Sequence, residues 1–172
     1  MNIWTTLFLV TNAVYWAVFF YLLSRRRWNA TALVVGLFHM LLASVLSVAP
    51  FRSLLDSDYR WQLGFVGFDG QVAVIPAFLT LAWALAAAWI TVANGKGGWM
   101  WLIAVGDVLF ALNLGAAIVL FPLRGNFTYQ RIQLGEGFVL SGMLASVVLL
   151  LCFVVPPMGS GIWAARRARL VV

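Results

Sequence analysis

Apolar side chains run in long unbroken blocks along this chain, and the polar ones gather in the gaps between them. Five blocks, at about residues 3–23, 30–49, 72–92, 99–121 and 138–155, approach the roughly 20 residues that a helix needs to cross about 30 Å of hydrocarbon. A helix satisfies every backbone donor and acceptor inside one segment, so helices are the expected form in lipid. A transmembrane β-barrel would instead show short alternating segments, and none stand out. The expected fold class is all-α: an integral membrane bundle of five transmembrane helices, forming one polytopic domain over residues 1–172. Pro156-Pro157 is expected to close the fifth helix, because proline lacks an N–H and clashes with the preceding turn.

The gaps carry their own signals. The Asn-Gly-Lys-Gly-Gly stretch at 94–98 reads as a tight turn that makes its flanking helices antiparallel neighbours. Residues 53–61 are expected to form a short surface helix, and Gly64, Gly67 and Gly70 an irregular return to the membrane. Residues 161–170 place Trp163 beside three arginines, which suits a segment lying at the interface against anionic lipid. The first block reads as a retained helix, since its arginines follow the apolar stretch and no small-residue cleavage site precedes them.

Composition reinforces the pattern. Of 172 residues, 64% are apolar and 9% charged, against about 45–50% and roughly 25% in soluble domains. A water-soluble globule of this size has no interior large enough for that much apolar side chain. A soluble enzyme, a disordered chain and a nucleic-acid-binding module are thereby set aside, and the lipid bilayer becomes the first partner.

Charge then orients the chain. Arg25, Arg26, Arg27, Lys96, Arg166, Arg167 and Arg169 fall on one side with no acid among them. Arg52, Arg60, Arg124 and Arg131 fall on the other, offset by Asp56, Asp58, Asp69 and Glu136. The positive-inside rule makes the first side cytoplasmic, with the N-terminus outside and the C-terminus inside a cell membrane. Trp4, Trp28, Trp61, Trp89, Trp99, Trp101 and Trp163 sit near the expected interfaces, whereas Trp16 and Trp83 lie deeper and are expected to pack between helices or against lipid.

An ionisable group at bilayer depth is expensive and is a functional candidate for that reason. His39 and Asp107 qualify. Counting along each helix also puts Asn12 in their layer, and Asn113 about a turn and a half further out. Small residues flank them at helical spacing: Ala32, Gly36, Ala43 and Ser47 with His39, and Ala111 and Gly115 with Asp107. Gly137, Ser141 and Ala145 make a similar stripe on the fifth helix. Two readings of His39 and Asp107 stand at this point, a pocket for protons or a polar ligand and a purely structural interhelical bond. Glu136 with Arg124 and Arg131 marks a candidate outer vestibule.

The chain has one histidine and one cysteine, Cys152. It therefore lacks the two imidazoles of a bis-histidine haem, a multi-histidine metal site, and any internal disulfide. No cofactor is expected. Nor does Ser44, Ser47 or Ser141 stand in a strand–turn–helix nucleophile setting.

These features favour a non-enzymatic small subunit or assembly partner of a membrane complex, joined to other membrane subunits or to further copies of itself. A binding or transport protein with a midplane pocket around His39, Asp107, Asn12 and Asn113 is the alternative. An intramembrane enzyme acting on a lipid or apolar substrate is the third reading. The orientation predicts that a reporter fused after Val172 scores cytoplasmic while one inserted within residues 56–69 does not. The reverse pattern, or the same score at both sites, would contradict it.

Overall fold

A computed structural model describes residues 3–55, 60–63, 66–123 and 142–169. Helices α1 (Ile3–Arg25), α2 (Ala30–Leu46), α3 (Val48–Leu55), α4 (Val74–Val92), α5 (Gly98–Leu123), α6 (Gly142–Phe153) and α7 (Val155–Arg169) account for most of them. Five stretches are long and apolar enough to cross a membrane: Thr5–Arg25, Ala30–Arg52, Val74–Val92, Gly98–Val119 and Val147–Arg169. Two of these join consecutive helices, α2 with α3 and α6 with α7.

The small residues of α4 make it the spine of the bundle. On one side Leu81, Ala84, Leu85, Ala88 and Val92 pack with Phe19 of α1 and with Met40, Ala43 and Leu46 of α2. On the other, Ala87 packs with Met100, Ile103 and Ala104 of α5 and with Ala164 and Ala168 of α7. In lipid, apolar side chains gain little by leaving acyl chains for protein, so close backbone approach decides which helices pair. Gly36 shows how close: a Cβ there would lie 2.8 Å from Val92 Cγ1 and 3.3 Å from a ring carbon of Phe19. The remaining large apolar side chains, such as Val45, Ile75, Leu79 and Leu109, face outward.

At one end of the bundle, the 94–98 turn is as tight as expected, with Asn94 at φ 57° and Gly97 at φ 61°. The Asn94 side chain donates to the Arg27 carbonyl and accepts at 3.4 Å from Arg167. Segments from three separate stretches of sequence thus meet there: the arginines after α1, the α4–α5 turn and the end of α7.

Two expectations need correction. Pro156-Pro157 does not end the fifth helical stretch: among the described residues helix runs from α6 (Gly142–Phe153) on into α7 (Val155–Arg169). Both prolines fall in the first turn of α7, where N–H groups have no intrahelical acceptor to lose. Val154 N–H still bonds Leu150 O at 2.9 Å and Met158 N–H bonds Val154 O at 3.1 Å, so the chain turns at Val154 and continues as helix.

Residues 161–169 belong to α7. Pro157, Ser160, Gly161, Ala164 and Ala168 are buried, and α7 lies along α5.

Finally, residues 53–61 do not form one helix, although the described chain is helical apart from one short ribbon. Helix α3 ends at Leu55, and an antiparallel ribbon follows, β1 (Arg60–Leu63) with β2 (Val66–Asp69), pairing Arg60 with Asp69 and Trp61 with Phe68. Gly67 lies in β2, and Gly70 opens a 3-10 turn leading into α4.

The triple contact at Gly36 carries a prediction. Gly36→Leu should lower the unfolding midpoint in detergent, reflecting a loss of about 1–3 kcal/mol of stability, as overpacking commonly costs. An unchanged midpoint would mean that α1, α2 and α4 do not meet there.

Candidate functional site

His39 and Asp107 reach each other from helices whose backbones barely approach. Each lies nine residues along its helix from the same end of the bundle, at Ala30 and Gly98, or about 14 Å at 1.5 Å per residue. His39 Nε2 lies 2.7 Å from Asp107 Oδ1, and both side chains are fully buried. His39 sits on the small-residue face of α2, where Ala32, Gly36, Ala43 and Ser47 are also buried. Between the two, Trp83 of α4 meets the His39 ring edge-on at 5.7 Å. Trp83 can lie there because Gly106 has no side chain: a Cβ at that position would fall 2.0 Å from the indole nitrogen.

The protons of the pair follow from its partners. His39 Nδ1 is 2.8 Å from the Val35 carbonyl, which can only accept, so Nδ1 carries a hydrogen. At 2.7 Å, Nε2 and Oδ1 are close enough to share one further proton. With it on nitrogen the pair is imidazolium and carboxylate; with it on oxygen, imidazole and carboxylic acid. Either way the net charge is zero, which is what makes the pair tolerable where a lone charge is costly.

The other midplane candidates go elsewhere. Asn12 donates to Ser47 Oγ and to the Phe8 carbonyl, both at 2.9 Å. Ser47 lies eight residues beyond His39 on α2, about 12 Å further along the helix, so Asn12 is not in the His39–Asp107 layer. The depth count misplaced it because it ran from the N-terminal end of a 23-residue helix. Asn113 donates to the Leu63 carbonyl at 2.6 Å and so ties the ribbon to α5. Glu136, Arg124 and Arg131 lie outside the described residues, as do Gly137 and Ser141.

The structure adds residues that the sequence pattern did not single out. Trp16 Nε1 donates to Ser44 Oγ at 3.1 Å, which with Asn12 and Ser47 makes a polar seam between α1 and α2. Trp16 at mid-depth was the available signal. On α7, Gly161 packs directly on α5, so that a Cβ there would lie 3.2 Å from both Asp107 Cβ and the Ala104 carbonyl. A span expected to end at the prolines does not include this approach.

Among the described residues, two clefts open on the surface. One of about 350 Å³ lies among the ribbon, α4 and α5, lined by Leu63, Thr80, Trp83, Phe110 and Asn113 among others. Another of about 270 Å³ lies between α5 and α7, at Trp101, Val105, Val108 and Ile162. Neither is lined by His39 or Asp107. Among the described residues no group of three His, Cys, Asp or Glu side chains is placed to hold a metal ion. Chemically, the site can hold a proton and bind two helices together.

Comparison with known proteins finds no family model, no curated protein and no solved structure that matches this chain.

Removing one partner of a fully buried pair leaves the other uncompensated, typically at a cost of about 3–5 kcal/mol. His39→Leu and Asp107→Leu should each destabilise the folded chain on that scale, whereas the double variant should cost clearly less than their sum. A double-mutant cycle read by unfolding in lipid or detergent measures this; additivity within about 0.5 kcal/mol would show no coupling.

Proposed function

We propose that this chain is a multi-pass protein of a cell membrane, N-terminus outside and C-terminus cytoplasmic, that serves as a non-enzymatic subunit or assembly partner of a larger membrane complex. The observation that carries this reading is the outward face of α1. Only 11% of the Thr5–Arg25 span is buried, against 50% of Ala30–Arg52. Its inner edge is held by Phe19 and by the Asn12–Ser47 and Trp16–Ser44 bonds. Its outer edge presents Thr6, Val10, Ala13 and Ala17, all exposed and recurring at helical spacing. Small residues at that spacing let a second helix approach closely in lipid.

The closed His39–Asp107 pair supports the same reading, since a bond internal to the bundle gives a subunit a fixed shape. The orientation and an anionic-lipid contact are supported by the arginines that converge at the Asn94 end, where acidic headgroups of a cytoplasmic leaflet attract them.

Photoreactive residues placed at Ala13 or Ala17 in native membranes should crosslink to one polypeptide, a different subunit or a second copy. The same probe at the lipid-facing Leu151 should yield lipid adducts. Lipid adducts alone from α1, together with a monodisperse single chain after gentle extraction, would sink the proposal.

A further inference from the structure

The cleft between α5 and α7, of about 270 Å³, has apolar walls and one charged end. Trp101, Val105 and Leu109 of α5 and Ile162 and Ala165 of α7 line it. Trp101, Val105, Leu109 and Ile162 are 43–61% exposed, so the cleft opens outward from the bundle. At its floor Gly161 brings the two helices together: a Cβ there would lie 3.2 Å from the Ala104 carbonyl and from Val108 Cγ2.

The charged end follows from helical spacing. Ile162, Ala165, Arg166 and Arg169 recur three and four residues apart along α7 and so share one of its faces. Both arginines are exposed and have no acidic partner among the described residues. The two helices run antiparallel, since Gly161 meets Val108 while Ala168 packs in the cluster that holds Met100. Counted from the Gly161 contacts, Arg166 stands level with Trp101 and Arg169 with the start of α5 at Gly98, to within a helical turn. Arg167 belongs to another face, where its guanidinium carbon lies 5.4 Å from the Trp163 ring centroid and Asn94 accepts from it.

Apolar walls that lead up to two arginines match a molecule with an acyl chain and an anionic head. The chain gains little by leaving bulk lipid for the walls. The preference comes from the arginines, because planar guanidinium forks donate well to phosphate oxygens. A helix of a partner subunit laid in the cleft would cover the same walls but bring the arginines no anion. We infer that the α5–α7 cleft is a binding site for one anionic glycerophospholipid, with an acyl chain between Trp101 and Leu109 and its phosphate on Arg166 and Arg169. A zwitterionic head offsets its own phosphate and is held less well. The inference rests on the anionic-lipid contact proposed above and is independent of what α1 touches.

The full chain, carrying a photoreactive residue at Val105, is reconstituted in nanodiscs of equal parts phosphatidylglycerol and phosphatidylcholine. Its lipid adducts should be enriched about fivefold or more in phosphatidylglycerol, the preference that one arginine near an anionic head commonly supplies. The control position is Val34 of α2, which is 65% exposed, lies near Arg25, Arg26 and Arg27 in sequence, and does not line the cleft. Adducts there should be clearly less enriched, and Arg166→Gln combined with Arg169→Gln should lower Val105 to the Val34 value. Equal enrichment at both positions, or enrichment that persists in the double variant, overturns the site while leaving a diffuse lipid contact intact. No enrichment at either position removes both. A polypeptide adduct from Val105 in native membranes also overturns the inference, since a partner helix then fills the cleft. Should the double variant fail to fold, the comparison of Val105 with Val34 decides alone.

Discussion

The bond from His39 Nε2 to Asp107 Oδ1 lies fully buried in a bundle whose five long apolar helices suit a membrane. Water offers any stray imidazole or carboxylate a substitute partner, and hydrocarbon offers none. Each group must therefore find the other, and the helices that carry them are brought to one relative height and rotation. Apolar packing specifies this less sharply, since a leucine on the bundle surface is nearly as well placed against an acyl chain as against a neighbouring helix. The pair is also the direct link between α2 and α5, which otherwise pack mainly against α4 and α7.

Around that link the bundle is made of close approaches. Ala84, Ala87 and Ala88 keep α4 slim enough to have neighbours on both sides. Gly106 lets Trp83 lie flat where the pair crosses α4, and Gly161 lets α7 settle against Asp107. The turn at Val154 belongs to the same economy of contact. It allows a span interrupted by two prolines to remain helical and to bring its small-residue face, from Pro157 to Ala168, onto α5.

Much of this was legible beforehand, and the exceptions have identifiable causes. His39 and Asp107 were correctly placed in one layer because both depths were counted from the same end of the bundle. Asn12 was counted from the other end, and the error over a long helix was two turns of α2. Pro156-Pro157 reads as a helix stop in the sequence, yet in the first turn of α7 proline removes no bond. Ser160 and Gly161 went unnoticed as a consequence. The ribbon was missed although Arg60-Trp61-Gln62-Leu63 alternates polar and apolar, since four residues of alternation weigh little beside a helical reading of the preceding segment.

By itself the sequence determined which stretches are long and apolar enough to cross a membrane, the small-residue faces and the identity of the buried ionisable groups. All of these depend on how much apolar side chain lies in each stretch and at what period, and so they are local properties. Tertiary structure decided which polar group meets which: Asp107 with His39 and Gly161, Asn12 with Ser47, Asn113 with the ribbon. Those pairings depend on the rotation and relative height of helices distant in sequence, and no periodicity within a single helix encodes the angle at which it faces its neighbours.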